Sequence, residues 1–179
     1  IATQAFDFET KNFYNIIIHA DDGTAGFNKA FTIKVTNVNE APTDILLSNA
    51  SVNENISGEV VVGTLSSVDP DNPASGFANA TFSIESSIGK GSYRIDGDQL
   101  IAVQSNEFGS NRFDFETNPT DTLTIRVNDG SPTGFDKTLT INIIDQNDAP
   151  TDILLNNNVI DENNAVGALI GDLTSIDPD

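Results

Sequence analysis

The sequence predicts an all-β fold made of immunoglobulin-like, Greek-key β-sandwich repeats with about seven strands each. Three observations predict it: apolar residues alternate with polar ones, Gly, Pro, Asn and Asp clusters interrupt them at short intervals, and one segment recurs in register.

The recurrence sets the organisation. Asn37-Val-Asn-Glu-Ala-Pro-Thr-Asp-Ile-Leu-Leu47 returns as Asp145-Gln-Asn-Asp-Ala-Pro-Thr-Asp-Ile-Leu-Leu155, 108 positions on. At the same displacement Asn53-Glu54-Asn55 becomes Asp161-Glu162-Asn163, and Val68-Asp69-Pro70-Asp71 becomes Ile176-Asp177-Pro178-Asp179. Asp7-Phe8-Glu9 becomes Asp114-Phe115-Glu116 at 107. With boundaries at the Ala-Pro-Thr junctions, residues 1–41 are the C-terminal part of one repeat, 42–149 a complete repeat and 150–179 the N-terminal part of the next. Neither end piece has enough strands to bury a two-sheet core. Either the polypeptide continues in both directions or the end pieces find partners in neighbouring molecules.

Within the complete repeat the strands follow in order. Ile45 to Leu47, Val60 to Leu65, Thr81 to Ile84, Tyr93 to Ile95 and Leu100 to Val103 are short apolar runs between turn residues. Leu123, Ile125 and Val127 alternate with Thr124 and Arg126, and Leu139, Ile141 and Ile143 alternate with Thr140 and Asn142. A period of two places one face of each strand in a core and the other in water. Asp96-Gly97-Asp98, between two strand candidates, reads as a tight hairpin turn. No segment has the 3.6-residue period of a helix.

The 179 residues hold 27 acidic and eight basic side chains, a formal charge of −19. So acidic a surface repels phosphate and anionic lipid, which argues against nucleic-acid partners. Cys, Met and Trp are absent, which removes disulfides, thiolate ligands and a thiol nucleophile, and points weakly to a bacterial surface protein. No apolar run approaches the roughly 20 residues of a membrane span, so no membrane insertion is expected, and any targeting segment belongs to a larger parent chain.

The carboxylates recur at strand ends and in loops: Glu54, the pair Asp69 and Asp71, Asp114 with Glu116, Asp129, and Asp145 with Asn147 and Asp148. A Greek-key sandwich collects its loops at two poles, so these groups gather there too. A divalent cation with six to eight oxygen ligands relieves their repulsion, and Ca2+ accepts ligands from distant loops more readily than Mg2+ does.

The ordered set resembles the cadherin repeat family. A Glu near the repeat start matches Glu54, an Asp-x-Asp matches Asp69 and Asp71, and a Leu-Asp-Arg-Glu motif matches Asp114-Phe115-Glu116. An Ala-x-Asp matches Asp129, and an Asp-x-Asn-Asp linker matches Asp145-Gln-Asn147-Asp148 before Pro150. The Ala-Pro-Thr-Asp-Ile-Leu-Leu junction is similar to cadherin-like repeats of large bacterial adhesins. The resemblance implies calcium sites split between successive repeats. The first junction would use Asp7, Glu9, Asn37, Asn39, Glu40, Glu54, Asp69, Asp71 and Asp129. The second would use Asp114, Glu116, Asp145, Asn147, Asp148, Glu162, Asp177 and Asp179. The first linker reads Asn-Val-Asn-Glu where the second reads Asp-Gln-Asn-Asp, one carboxylate fewer, which implies fewer or weaker ions.

The implied role is a calcium-rigidified spacer of a bacterial surface adhesin, extracellular at a cell surface or in a secreted matrix, whose partners are neighbouring repeats of the same polypeptide or of identical chains. Two alternatives stay open. One is a recognition module for polysaccharide, a cell-surface ligand or a like repeat, for which Phe27, Phe77, Phe108 and Phe135 beside turns could form a patch. The other is an extracellular filament subunit completed by strand exchange. No enzyme is expected: the single His19 falls on a strand, and paired carboxylates for glycoside hydrolysis lack aromatic platforms. EF-hand and β-roll calcium motifs are absent, and Asn49, Asn55 and Asn79 stand in glycosylation sequons.

Overall fold

A computed structural model describes residues 1–2, 4–71, 79–89, 91–104 and 112–179. It contains twelve strands and no helix among these residues. The first piece is an antiparallel hairpin, β1 (Phe13–Asp21) with β2 (Gly26–Lys34). Eight strands follow: β3 (Asp44–Leu47), β4 (Ser51–Asn53), β5 (Gly58–Val68), β6 (Thr81–Ile88), β7 (Tyr93–Asp96), β8 (Gln99–Gln104), β9 (Thr120–Asn128) and β10 (Phe135–Ile144). The last piece pairs β11 (Asp152–Leu155) with β12 (Leu173–Ile176).

The eight central strands form two four-stranded sheets, ordered β3-β5-β8-β7 and β4-β10-β9-β6. The alternation that predicted the strands also sets their burial. On β9, Leu123, Ile125 and Val127 are buried while Arg126 is exposed; on β10, Ile141 and Ile143 are buried between exposed Asn142 and Ile144. Ile45, Val62, Leu65, Leu100 and Ala102 meet them from the other sheet, and Phe113 fills the space beside Tyr93, its ring edge-on at 5.5 Å. Burying an aliphatic side chain of this size contributes about 1.5–3 kcal/mol.

All seven expected strands are present. The eighth, β4, has only three residues and pairs in parallel with the C-terminal end of β10. Three residues are too few to show a period. The hairpin at Asp96 is also present: Asp96 faces Gln99 across a two-residue turn whose Gly97 has φ +63°, a conformation that favours glycine.

One buried carboxylate has no counterpart in the sequence reading. Asp121, on the inward face of β9, is 0% exposed and accepts hydrogen bonds from Asn118 Nδ2 (2.6 Å), Tyr93 OH (2.7 Å) and the Gly91 N–H (3.2 Å). Burial of the ring, and then the hydrogen bond to Asp121 and its charge, raise the Tyr93 phenol well above its ordinary range. Gly89, at φ +130°, has no room for a side chain, because a Cβ there would fall onto Asp121 Oδ1.

Geometry repeats along with sequence. Asn49 Nδ2 donates to Ser51 O (2.9 Å) and Val62 O (2.7 Å); 108 positions later Asn157 Nδ2 donates to Val159 O (2.9 Å) and Ile170 O (2.6 Å). Asn55 and Asn163 share a positive φ, 55° and 61°. Positions that are core in the central unit lie open in the end pieces: Ile45 is 0% exposed and its counterpart Ile153 is 70% exposed. The hairpin β1–β2 likewise exposes Ile16, Ile18, Phe31 and Ile33. Among the aromatic residues beside turns, Phe27 is exposed and Phe135 packs against the core, whereas Phe77 and Phe108 lie outside the described residues.

Candidate metal centres at the repeat junctions

At the first junction the segment after β2 runs alongside the loop that follows β5. Asn37 Nδ2 donates to Asp71 Oδ1 at 2.9 Å, and the Glu40 N–H donates to Asp71 Oδ2 at 2.9 Å. Asn39 Nδ2 reaches Asp129 Oδ2, at the end of β9, at 3.1 Å. Asp69 Oδ1 accepts the Asp71 N–H, a turn that sets the two carboxylates side by side. Oxygens of Glu9, Glu40 and Asp71 lie within 4.8 Å of one another.

Crowding of like charge shows in their protonation. Desolvation raises the Glu40 carboxyl above its ordinary range, and the charges of Glu9, Asp71 and Asp7 push it further. Desolvation also raises Asp69, with Asp129 and Asp71 adding to it. Burial pushes Asp129 the same way, but hydrogen bonds from Ser131 and Asn39 outweigh it and hold that group below its usual value. Three oxygens here, Asn37 Oδ1, Asn39 Oδ1 and Asp69 Oδ2, are buried with no hydrogen-bond partner. Buried acceptors are rarely left so. Carboxylate and amide oxygens are the ligands that a hard divalent cation takes, so the residues present, with one carboxylate cluster and three donorless oxygens, fit such a cation.

At the second junction Glu54 is the organising group. It is 2% exposed; its Oε2 accepts the Phe115 N–H and its Oε1 the Gln146 N–H, each at 2.7 Å. Glu54, Glu116 and Asp145 form one oxygen cluster, and Glu116, Asp148 and Asp179 a second, each within 4.8 Å. The Asp148 N–H donates to Asp179 Oδ2 at 2.8 Å, the counterpart of the Glu40–Asp71 bond. The backbone N–H of Glu116 lowers its carboxyl, but desolvation and the charges of Glu54, Asp148 and Asp145 outweigh this and raise it.

The structure therefore brings Glu9, Asn37, Asn39, Glu40, Asp69, Asp71 and Asp129 together at the first junction, and Glu54, Glu116, Asp145, Asp148 and Asp179 at the second. One expectation is corrected. Glu54 belongs to the second junction, not the first, because β4 runs parallel to β10 and carries Glu54 to the pole where β10 ends; the Glu54 N–H donates to Ile144 O at 3.0 Å. Glu162, 108 positions after Glu54, is exposed and belongs to none of the acidic clusters among the described residues. Asp7 and Asp114 lie beside the clusters, but each spends its oxygens on a turn. Asp7 accepts the Thr10 N–H and hydroxyl at 2.9 and 2.8 Å, and Asp114 those of Thr117 at 2.9 and 2.9 Å. Asn147 Nδ2 bonds to Asp148 O, and Asp177 is exposed. His19, on β1, is exposed and bonds through Nδ1 to Asn28. Sequence reasoning missed the orphaned amide oxygens and the two backbone donors on Glu54, which only the packing of the linker against the loops creates.

No protein-family model matches the chain, and no curated protein does. Solved structures do. Mouse protocadherin-24 EC1-3 matches with a TM-score of 0.64 and 19% identity over 98% of this chain and 59% of that one. Four extracellular cadherin domains of protocadherin gamma B7 match with a TM-score of 0.67 and 19% identity, over 98% of this chain and 43% of theirs. Human protocadherin-24 EC1-2 matches at 0.58 and 22%, over 79% and 70%. The chain thus spans about three-fifths or less of the two longer neighbours, and what these likenesses establish is the fold: it is that of cadherin domains, an all-β, immunoglobulin-like sandwich.

Proposed function

We propose that the chain is part of a calcium-rigidified extracellular spacer from a bacterial surface adhesin, with Ca2+ bridging successive repeats divided at 1–41, 42–149 and 150–179. One observation carries this reading: at both junctions, carboxylate oxygens from two neighbouring repeats converge, and at the first, three further oxygens, Asn37 Oδ1, Asn39 Oδ1 and Asp69 Oδ2, are buried without a donor. Glu9, Asn37, Asn39, Glu40, Asp69, Asp71 and Asp129 would hold cations at the first junction. Glu54, Glu116, Asp145, Asp148 and Asp179 would do so at the second, with Asp7, Asp114, Asn147 and Asp177 completing the two shells. The lack of cysteine and the bacterial-type Ala-Pro-Thr-Asp-Ile-Leu-Leu junction support the source. Bound cations cancel the carboxylate repulsion in the one relative orientation that lets both repeats contribute ligands, so binding stabilises that orientation over bent ones.

Small-angle scattering and thermal melts, with calcium and with chelator, test the reading. It expects a longer, stiffer particle and a higher melting temperature with calcium. If neither property responds, the carboxylates are solvated turns and the spacer reading fails.

A further inference from the structure

The two junctions are not built alike. At the first, the Asn37 amide donates to Asp71 Oδ1 across the boundary between repeats at 2.9 Å, beside the Glu40 N–H on Asp71 Oδ2 and the Asn39 amide on Asp129. The residue 108 positions after Asn37 is Asp145, and the counterpart of Asp71 is Asp179. A carboxylate has no proton to donate at neutral pH. Asp145 instead joins the cluster with Glu54 and Glu116, within the repeat that carries it, and the Asp148 N–H is the donor that reaches Asp179.

One amino-acid difference thus changes the sign of the interaction at equivalent places. A neutral amide facing a carboxylate is a charge-assisted hydrogen bond, whereas a carboxylate in that place adds repulsion until a cation arrives. Asp71 is 2% exposed, so this bond is shielded from competing water. The Asn37 amide also keeps its other face useful, because its Oδ1 is buried without a partner and remains open to a cation.

We infer that Asn37 is a cation-independent latch, which holds the first junction in the arrangement that its hydrogen bond to Asp71 defines, whereas the second junction, with Asp145 in that place, depends on bound ions. The second half of this statement rests on the calcium reading; the latch rests on the hydrogen bonds that reach Asp71 and Asp129. In an array carrying both junction types, falling calcium would loosen Asp145-type joints and spare Asn37-type joints, so flexibility would enter at fixed places along the chain.

The chain has no cysteine, so introduced pairs can be spin-labelled cleanly. Thr32→Cys with Ser66→Cys spans the first junction, and Thr140→Cys with Thr174→Cys spans the second at equivalent, exposed positions. In chelator, pulsed dipolar spectroscopy should give a narrow distance distribution across the first junction and a broad one across the second. Asn37→Asp should broaden the first, Asp145→Asn should narrow the second, and pairing Asn37→Asp with Asp71→Asn, which reverses the donor, should restore the narrow distribution. A first junction as broad as the second in chelator, or one that Asn37→Asp leaves unchanged, overturns the latch. Calcium then tests the other half separately: if it fails to narrow the second junction, the calcium reading falls while the latch stands.

Discussion

Glu54 Oε2 accepts the N–H of Phe115, a residue 61 positions further along the chain, at 2.7 Å, and the same carboxylate takes the Gln146 N–H on its other oxygen. One buried side chain therefore ties the start of the repeat to the loop before β9 and to the linker after β10. Glu54→Ala orphans both donors and is expected to cost about 2–5 kcal/mol of repeat stability in chelator, with no ion involved. Glu54→Gln retains one acceptor and should cost less. Chemical denaturation of both variants in chelator checks this, and equal stability of Glu54→Ala and the parent chain would refute it.

Asp121 makes a second, independent claim. Removing it as Asp121→Ala leaves Tyr93 OH, Asn118 Nδ2 and the Gly91 N–H without their acceptor, at roughly 1–3 kcal/mol for each orphaned donor. Gly89→Ala should destabilise as well, because the new methyl meets the carboxylate. The two share one cause, so the double variant should lose less than the sum of the singles. Additive losses in thermal melts would show that the glycine answers to something else.

Protonation at the first junction gives a pH test. Glu40 and Asp69 titrate above their ordinary values when folded. They therefore keep protons that the unfolded chain has released, and the stability they contribute is full below the unfolded values and lost as pH rises through the folded ones. In chelator, these two groups should make the junction firmer in mild acid than at neutral pH. Added calcium competes with those protons and should reverse the trend. Glu9→Gln, by removing a neighbouring charge, should bring the Glu40 midpoint down in a carboxyl-detected NMR titration; an unmoved midpoint would count against the cluster.

Phe113 tests the core. It is 0% exposed and sits between the sheets against Tyr93. Phe113→Ala is expected to cost about 3–5 kcal/mol, from lost burial and the cavity left behind. A melt within a degree or two of the parent would mean that the loop collapses freely, contrary to the packing described.

Much of this architecture was legible in the residues because it rests on short-range rules. Alternation on β9 and β10 names Leu123, Ile125, Ile141 and Ile143 as core, and Asp96-Gly97-Asp98 marks its own turn. What stayed hidden depends on how distant segments meet. Glu54 could be recognised as important, yet its junction could not be chosen without knowing that β4 runs parallel to β10. Asp121 sits in the alternation where an apolar residue would be expected, and only the fold supplies its three donors. The orphaned oxygens of Asn37 and Asn39 depend on which way each amide turns, and their carboxylate partners decide that.

The parallel pairing of β4 with β10 also determines how the repeat meets tension. The chain enters the unit ahead of β4 and leaves after β10, and both strands run toward the same pole. A pull on the two ends drags these strands past each other along their length, so the bonds Asn142 N–H to Ala50 O and Glu54 N–H to Ile144 O are strained together instead of peeling apart one by one. Rupture under such loading is governed by the unfolding rate and not by the equilibrium population. Val52→Pro, which strikes the middle of β4, should lower the rupture force in single-molecule stretching more than it lowers the melting temperature. By this geometry, once β3 has parted from β5, a strand of three residues carries the load between the two ends of the unit.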